Sequence, residues 1–235
     1  MINNKTFLCI IPARGGSKGI INKNIIDLNG SPLISYCIKS SINSGIFDRI
    51  IVSTDSEEIA NVSKGYGAEV PFIRPSELAT DKSLIQDTLF HALKYIEQDD
   101  RKYNYVCLIQ PTTPLMIPED ICNSVKMLEE KNADMIISVG KSPINIGWAR
   151  TLPEDFSMIN FKVDICGTNK QCYEDVYYLN GSIYLGKWDI FYEKKDYYSQ
   201  KTYAYIMPYE RSIDVDKIID IKLVNFFLRE RDKNI

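Results

Sequence analysis

Short apolar runs rich in β-branched residues alternate with segments of helical periodicity along the N-terminal half of the chain. The predicted strands are Thr6–Pro12, Arg49–Ser53, Glu69–Ile73, Tyr105–Ile109 and Met135–Val139. Strands that alternate with helices form parallel sheets, and such sheets are covered by helices on both faces, so their strands are apolar throughout. The alternation therefore predicts an α/β fold with a parallel sheet between two helical layers.

The remaining elements follow from apolar stripes and capping signals. The predicted helices are Leu33–Ser44 after Pro32, an apolar-striped segment over 84–96, a helix that begins at Pro118, and a final helix over Lys217–Arg231. Two later strands are predicted at Asn180–Leu185 and Tyr203–Met207. Between Lys141 and Leu179 the periodicity is lost, and irregular stretches of this length inside a domain commonly serve function or contact a partner.

Length and composition set limits on the class of protein. A chain of 235 residues with 45% hydrophobic and 25% charged residues can bury a full core, so we expect one soluble domain over 1–235. The formal charge of −3 gives no general attraction to nucleic acid, and no apolar run approaches a membrane span. The six cysteines form no C-x-x-C pair, which favours reduced thiols in a cytoplasmic protein and disfavours a zinc site.

A glycine-rich basic loop follows the first predicted strand. Residues 11–24 read Ile-Pro-Ala-Arg-Gly-Gly-Ser-Lys-Gly-Ile-Ile-Asn-Lys-Asn. Glycines allow backbone N–H groups to turn toward an anion, and Arg14, Lys18 and Lys23 supply positive charge for phosphate oxygens. The spacing is neither that of a Walker A loop nor G-x-G-x-x-G. A triphosphate cradle is favoured over the alternative of a solvated basic loop between a strand and a helix.

Polar residues also follow the second and fourth predicted strands, as Ser53-Thr54-Asp55-Ser56 and Gln110-Pro111-Thr112-Thr113-Pro114. Ligands bind beyond the carboxyl ends of parallel strands, so these side chains are placed to recognise a sugar or nucleobase. Helix capping is the alternative, and it is the favoured interpretation for Ser56. Arg74, after the third predicted strand, could hold a nucleobase edge in a turn that ends with a cap at Thr80 or Asp81.

A possible metal site lies near the C-terminus, in Ser212-Ile213-Asp214-Val215-Asp216. On an extended backbone residues i and i+2 point the same way, so Asp214 and Asp216 could share one hard divalent cation. The alternative is that Asp216 caps the last helix and Asp214 is a surface residue. The single histidine, His91, falls on an apolar-striped helix and is interpreted as a packing residue, and no catalytic triad can be built around it.

Six ordered motifs resemble the acylneuraminate cytidylyltransferases, also called CMP-sialic acid synthetases. They are the Arg14 loop, Ile51–Asp55, Arg74-Pro75-x-x-Leu78-Ala79-x-Asp81, Leu108–Pro114, Asn180–Tyr184 and Ser212–Asp216. The resemblance implies a Rossmann-like, doubly wound, mostly parallel sheet and a reaction that joins CTP to a nine-carbon 2-keto-3-deoxy sugar acid with Mg²⁺. It also implies a homodimer in which the 141–179 segment is a dimerisation flap that reaches the partner's active site.

Site residues follow from the motifs and this resemblance. The nucleotide-binding positions are Ala13, Arg14, Gly15, Ser17, Lys18, Lys23, Asn24, Arg74, Thr80, Lys82 and Asp214. The sugar-binding positions are Gln110, Thr112, Arg150, Lys170, Tyr178 and Asn180. Arg14, Lys23, Gln110, Asp214 and Asp216 are expected to act in catalysis, with Asp214 and Asp216 as the metal ligands. No residue stands out as a general base, so the chemistry is expected to depend on positioning and charge.

The sequence departs from the sialic acid pattern in the flap. Arg150 stands where many members have a lysine, and Lys170 and Tyr178 stand where arginines are often found. These changes suit a sugar with a less polar side chain, such as a legionaminic or pseudaminic acid. A cytidylyltransferase for the eight-carbon acid of lipopolysaccharide, a non-catalytic nucleotide-binding domain, and an adaptor that docks through 141–179 remain as alternatives.

Overall fold

A computed structural model describes residues 4–16, 19–98, 102–144, 149–161, 174–193 and 197–233. The strands are β1 (Phe7–Pro12), β2 (Asp27–Leu28), β3 (Ser31–Pro32), β4 (Arg49–Ser53), β5 (Tyr105–Ile109), β6 (Met135–Lys141), β7 (Tyr177–Lys187) and β8 (Thr202–Met207). The helices are α1 (Leu33–Asn43), α2 (Glu57–Gly65), α3 (Ile85–Glu97), α4 (Pro118–Glu130), α5 (Trp188–Tyr192) and α6 (Ile218–Lys233).

Six strands form one sheet in the order β4-β1-β5-β7-β6-β8. Strands β4, β1 and β5 pair in parallel, as do β6 and β8. Strand β7 is antiparallel to both of its neighbours. The predicted α/β fold with a mostly parallel sheet is therefore confirmed, with one reversed strand inside it.

One predicted strand is wrong. Residues Glu69–Ile73 do not form a strand but make two isolated bridges, from Glu69 to Ile51 and from Ile73 to Thr54. Pro71 lies between these bridges and has no N–H to donate, so the ladder beside β4 is interrupted there. The segment still runs along the sheet edge and delivers Arg74 to the carboxyl end of β4.

The irregular segment is shorter than predicted, because both of its ends belong to the sheet. Strand β6 extends to Lys141, and β7 begins at Tyr177 rather than at Asn180. Lys141 pairs with Tyr177 in an antiparallel register. The excursion between them therefore leaves and re-enters the sheet at adjacent positions, and its residues 145–148 and 162–173 lie outside the described ranges.

Strand β1 divides the core by alternation of its side chains. Phe7, Cys9 and Ile11 pack into one buried cluster with α1, α2 and α4. Leu8 and Ile10 pack on the opposite face with α3 and α5. This two-faced burial is the reason that the strand is apolar throughout.

A third cluster joins the ends of the chain. It contains Ile20 from the basic loop, Ile213 and Val215 from the predicted metal-binding segment, and Val224 and Leu228 from α6. Burial of Ile213 and Val215 turns Asp214 and Asp216 outward. The cluster therefore holds the N-terminal loop and the C-terminal carboxylates against each other.

The cysteines of the described ranges are free, as predicted for reduced thiols. Cys9, Cys37 and Cys107 are buried and Cys122 is half-buried. Burial raises the pKa of the Cys9 thiol to about 12, so it stays protonated and unreactive at neutral pH. Among the described residues, every helix is too short or too polar to pass through a lipid bilayer.

Candidate active site

A cleft of about 630 Å³ opens at the carboxyl ends of β1 and β5. Strand β4 lies on one side of β1 and β5 on the other, so the chain connections diverge here and leave a crevice. Eight of the predicted site residues line it: Arg14, Lys23, Asn24, Arg74, Thr80, Gln110, Thr112 and Asp216. Residues separated by up to two hundred positions in sequence therefore share one cavity, as the motifs predicted.

Hydrogen bonds attach the start of the basic loop to the sheet and join the two ends of the loop. The Ala13 amide donates to the Ser53 carbonyl (2.9 Å), so buried Ala13 continues the β1–β4 ladder beyond the strand. The buried Asn24 side chain donates to the Arg14 carbonyl (2.9 Å), which joins the two ends of the loop. Ser17 and Lys18 lie outside the described ranges, so their assignment stays a prediction.

Arg14 and Gly15 make contacts that the sequence did not indicate. The Arg14 guanidinium lies 2.9 Å from Asp81 Oδ1 across the cleft. The Gly15 amide donates to Asp55 Oδ1 (2.9 Å). The Gly15 N–H is therefore engaged by a carboxylate of the protein, and in this structure it is not directed at the cleft as a phosphate donor.

Lys23 connects the basic loop to the C-terminal carboxylates. Its Nζ donates to Asp216 Oδ1 (2.8 Å) and to the Val215 carbonyl (2.9 Å). The loop also passes closely at Gly19, where an added Cβ would lie 2.8 Å from the Asp216 carbonyl oxygen. Any side chain at this position would force the two segments apart, so glycine is needed for this approach.

Asp214 and Asp216 face outward together, as expected from their spacing. Burial by the surrounding protein raises the pKa of the Asp214 carboxyl, and the neighbouring Asp216 raises it further, whereas a hydrogen bond with Thr112 and the charge of Lys23 lower it. Two neighbouring carboxylates form an oxygen-only donor set that suits a hard divalent cation. No cluster of three or more potential metal-ligating side chains occurs among the described residues, so such a cation would take further ligands from substrate or water.

Arg74 is a buried cation that faces the cleft. It is 4% exposed, and its Nη1 donates to the Thr88 hydroxyl (3.3 Å). Its Nε and Nη2 are buried without a hydrogen-bond partner, and Asp55 Oδ1 lies 3.5 Å from Nη2. Burial lowers the pKa of Arg74, and the nearby Arg14 lowers it further. These unpaired donors can be satisfied by a ligand.

Fewer residues of the turn after Arg74 line the cleft than predicted. The Thr80 hydroxyl bonds with Ser83 Oγ (2.8 Å) and lines the cleft. Lys82 is exposed and does not line it. Ser56 is a helix cap, as predicted, since its hydroxyl accepts the Ile59 amide (3.4 Å) at the start of α2.

Gln110 and Thr112 line the cleft, whereas Arg150, Tyr178 and Asn180 do not. Asn180 is 2% exposed, and its side chain is used internally. Its Oδ1 accepts from the Ser138 hydroxyl (2.6 Å), and its Nδ2 donates to Ser212 Oγ (3.0 Å). The structure therefore places Asn180 as a link between β6, β7 and the predicted metal-binding segment, and both polar atoms of its side chain are engaged within the protein.

Tyr178 lies beside the same segment. Its hydroxyl donates to the Ser212 carbonyl (3.3 Å), and its ring fills the space above Gly140, where an added Cβ would lie 2.8 Å from Cζ. Burial raises the pKa of Tyr178, and the charge of Asp214 contributes in the same direction. Arg150 is exposed and donates to its neighbouring Ala149 carbonyl (2.7 Å), and Lys170 lies outside the described ranges.

His91 has the packing role that its helix predicted. Its ring packs edge-on against Phe72, with 4.9 Å between the centroids. Burial lowers the pKa of His91, and the positive charge of Arg74 acts in the same direction. A neutral imidazole is therefore favoured at this position.

The chain is similar to known proteins in sequence and in fold. The sequence model of a family described as "Cytidylyltransferase" matches residues 8–232. The chain is 35% identical to CMP-N,N'-diacetyllegionaminic acid synthase of Legionella pneumophila, over 91% of this chain and 92% of that protein. It is 30% identical to pseudaminic acid cytidylyltransferase of Campylobacter jejuni, over 94% of this chain and 96% of that protein.

The fold also resembles a solved structure. CMP:2-keto-3-deoxy-manno-octonic acid synthetase, solved in complex with CTP, superposes with a TM-score of 0.71 over 96% of this chain and 99% of that chain. The sequence identity is 13%, so this likeness concerns the fold.

Proposed function

Since the chain belongs to the cytidylyltransferase family, we propose that it joins CTP to a nine-carbon 2-keto-3-deoxy sugar acid and releases pyrophosphate. The observation that carries the proposal is the contact of Lys23 Nζ with Asp216 Oδ1 (2.8 Å), which brings the basic loop and the C-terminal segment to one cleft. Cytidylyl transfer needs both groups, because cations must bind the triphosphate and carboxylates must hold a divalent ion beside it.

We assign the triphosphate to Arg14 and Lys23, together with Lys18 and Ser17 of the same loop. Lys23 is a point donor whose Nζ is already directed at the carboxylate segment, and Arg14 is a forked donor at the opposite wall. These cations would stabilise the negative charge that develops on the departing pyrophosphate, because they are in place before the reaction begins.

We assign the base to Arg74. Cytosine presents two adjacent acceptors, O2 and N3, whereas uracil has an N3–H at the second position. The buried Nε and Nη2 of Arg74 are two unpaired donors on one side of a guanidinium, which matches the cytosine pair. Thr80 lines the same cleft as Arg74, and its backbone could make further contacts to the base.

Asp214 and Asp216 would hold Mg²⁺. The ion supplies charge neutralisation at the triphosphate, and it fits this pair because oxygen-only donors are the ligands that it prefers. Thr112 favours the ionised form of this carboxylate, because it lowers the pKa of Asp214. The Val215 amide donates to the Thr112 carbonyl (2.8 Å), so the same residue also holds the backbone between the two aspartates.

The oxygen of the sugar's anomeric hydroxyl attacks the α-phosphorus of CTP, and the hydroxyl proton passes to water. A new C–O–P linkage forms, and pyrophosphate leaves with the electron pair of the broken P–O bond. Gln110 and Thr112 line the same cleft, where they can orient the sugar acid for in-line attack. Catalysis then arises from alignment and fixed charge.

A legionaminic or pseudaminic acid is the proposed sugar class. The two relatives described above carry these acids in their names and match this chain over nearly its full length. The likeness to the eight-carbon acid synthetase is one of fold at 13% identity, so it gives that substrate less support.

We further propose a cytoplasmic homodimer whose flap is the 141–179 segment. Phe156 and Ile159 of this segment are 76% and 77% exposed, and adjacent exposed apolar side chains of this size are typical of an interface. Free buried thiols are compatible with a reducing compartment.

Pyrophosphate release from CTP and Mg²⁺ with a panel of keto-deoxy acids tests the proposal. We expect turnover with legionaminic or pseudaminic acid, and loss of turnover in Arg14→Ala and Asp216→Asn with the fold retained by circular dichroism. Lys64→Ala, an exposed lysine at the end of α2, is the matched charge control. CTP binding without turnover on any acid of the panel would favour a non-catalytic nucleotide-binding domain.

A further inference from the structure

Asp55, which follows β4, contacts both halves of the proposed nucleotide site. Its Oδ1 accepts the Gly15 amide at 2.9 Å in the phosphate loop and lies 3.5 Å from Nη2 of Arg74. A single carboxylate oxygen therefore stands between the loop proposed to bind phosphates and the arginine proposed to bind the base.

Main-chain contacts hold the segments that carry Asp55 and Arg74 side by side. The Arg74 amide donates to the carbonyl of Thr54 (2.7 Å), the residue directly before Asp55. Thr54 and Ile73 also form one of the two bridges at this sheet edge. The separation of the carboxylate and the guanidinium is thus set by backbone contacts, and it leaves Nε and Nη2 of Arg74 without a hydrogen-bond acceptor.

The buried positive charge of Arg74 needs the carboxylate of Asp55 nearby. Arg74 is nearly fully buried, and burial and the charge of Arg14 both disfavour its ionised form, while Asp55 favours it by raising the pKa of Arg74. At 3.5 Å the carboxylate compensates the charge of Arg74 without consuming Nη2 in a hydrogen bond. A closer Asp55 would occupy the donor that the base needs.

We propose that Asp55 is a positioning residue that keeps Arg74 and the Gly15 segment in the arrangement that recognises CTP. The inference rests on the proposed function. Asp55 acts through two other residues, since it neutralises the arginine on the base side and anchors the loop on the phosphate side.

Two substitutions separate these two effects. Asp55→Asn keeps an oxygen that can accept from the Gly15 amide but removes the charge opposite Arg74. We expect it to raise KM for CTP about tenfold, to lower the preference for CTP over UTP about tenfold, and to change kcat little. Asp55→Ala removes the loop anchor as well, and we expect a further rise in KM of several-fold.

Asp48→Asn is the matched control. Asp48 Oδ2 accepts the Phe7 amide (2.7 Å) at the amino end of β1, so it makes the same kind of carboxylate-to-amide bond at the end of the strand away from the cleft. We expect this variant to lower Tm without changing KM for CTP or the CTP:UTP preference. A second test combines Asp55→Asn with Arg74→Lys, where the effect of Asp55→Asn on base preference should disappear.

A purely structural role would give a different result, in which Asp55→Asn lowers Tm as Asp48→Asn does but keeps the wild-type KM and the wild-type CTP:UTP preference. That result overturns the proposal. Failure of the proposed function is seen separately, because the wild-type protein would then release no pyrophosphate from CTP with any acid of the panel.

Discussion

Arg211 binds Asp120 through two hydrogen bonds, from Nε to Oδ2 (2.9 Å) and from Nη2 to Oδ1 (3.1 Å). Asp120 is 1% exposed and also accepts the Tyr205 hydroxyl (3.0 Å) and the Ile117 amide (3.1 Å). The carboxylate thus closes the amino end of α4 and, through Arg211, holds the start of the segment that carries Asp214 and Asp216.

Asp120→Ala should lower the free energy of unfolding by about 3 kcal/mol, because it leaves the partly buried Arg211 charge and the Tyr205 hydroxyl without their acceptor. Urea denaturation followed by circular dichroism measures the change. Lys126→Ala on the same helix breaks an exposed pair with Glu130 (3.8 Å) and should change stability by less than about 0.5 kcal/mol. Equal effects of the two substitutions would contradict the assigned role of Asp120.

Asp214→Asn should stabilise the metal-free protein at neutral pH while it removes activity. The folded state raises the pKa of Asp214 above its ordinary value of 3.8. The native state therefore binds the proton of the Asp214 carboxyl more tightly than the unfolded state does. The free energy of unfolding falls as pH rises from 3.8 through the raised pKa, and at neutral pH the whole of this loss is present. Asparagine does not ionise, so the variant avoids this loss of stability and its Tm without Mg²⁺ should rise. Its rate of pyrophosphate release should fall by about 100-fold or more.

Thermal melts with and without Mg²⁺ extend this test. Wild-type Tm should rise with Mg²⁺ at pH 7 because the ion binds the ionised pair, and Asp214→Asn should lose that rise. Glu58→Gln, which removes an exposed carboxylate at the start of α2, should retain it. A full Mg²⁺ response in Asp214→Asn would remove this residue from the proposed metal site.

Local patterns predicted the parts of the site that depend on local geometry. The alternation in 212–216 placed Asp214 and Asp216 on one side because Ile213 and Val215 are buried. The carboxyl ends of parallel strands likewise predicted that Gln110 and the basic loop would share a cleft. Strand bounds at Arg49–Ser53 and Tyr105–Ile109 coincide with the structure, since continuous apolar runs define buried strands.

The contacts between distant segments could not be predicted in this way. Asn180 was assigned to the sugar from its motif, yet its partners Ser138 and Ser212 come from separate elements that meet only in the folded sheet. Asp55 was recognised as a polar residue at a strand end, but nothing local indicates that it bridges Gly15 and Arg74. Such networks are specified by the three-dimensional neighbourhood, which a single sequence does not display.

Gly181→Ala should impair use of the sugar acid while CTP binding is kept. Gly181 has φ +75°, and an added Cβ would lie 3.0 Å from Gln110 Oε1, so alanine strains the backbone and displaces Gln110. We expect KM for the sugar acid to rise about tenfold with an unchanged KM for CTP, as in Gln110→Ala. Gly45→Ala provides the control, because Gly45 has φ +64° with no atom near the added Cβ, and it should lower Tm alone.

Phe156→Glu combined with Ile159→Glu should convert the proposed homodimer to a monomer. Both side chains are largely exposed in the single chain, and charges placed on an apolar interface must be desolvated when it forms. Light scattering coupled to size exclusion measures the mass, which should fall from that of two chains to that of one. Phe226→Glu, on the exposed face of α6, should leave the dimer intact if the contact is made by the 141–179 segment.

Turnover should fall together with the mass, because the flap is proposed to complete the partner's sugar site. A monomer with wild-type kcat/KM would show that catalysis does not depend on assembly.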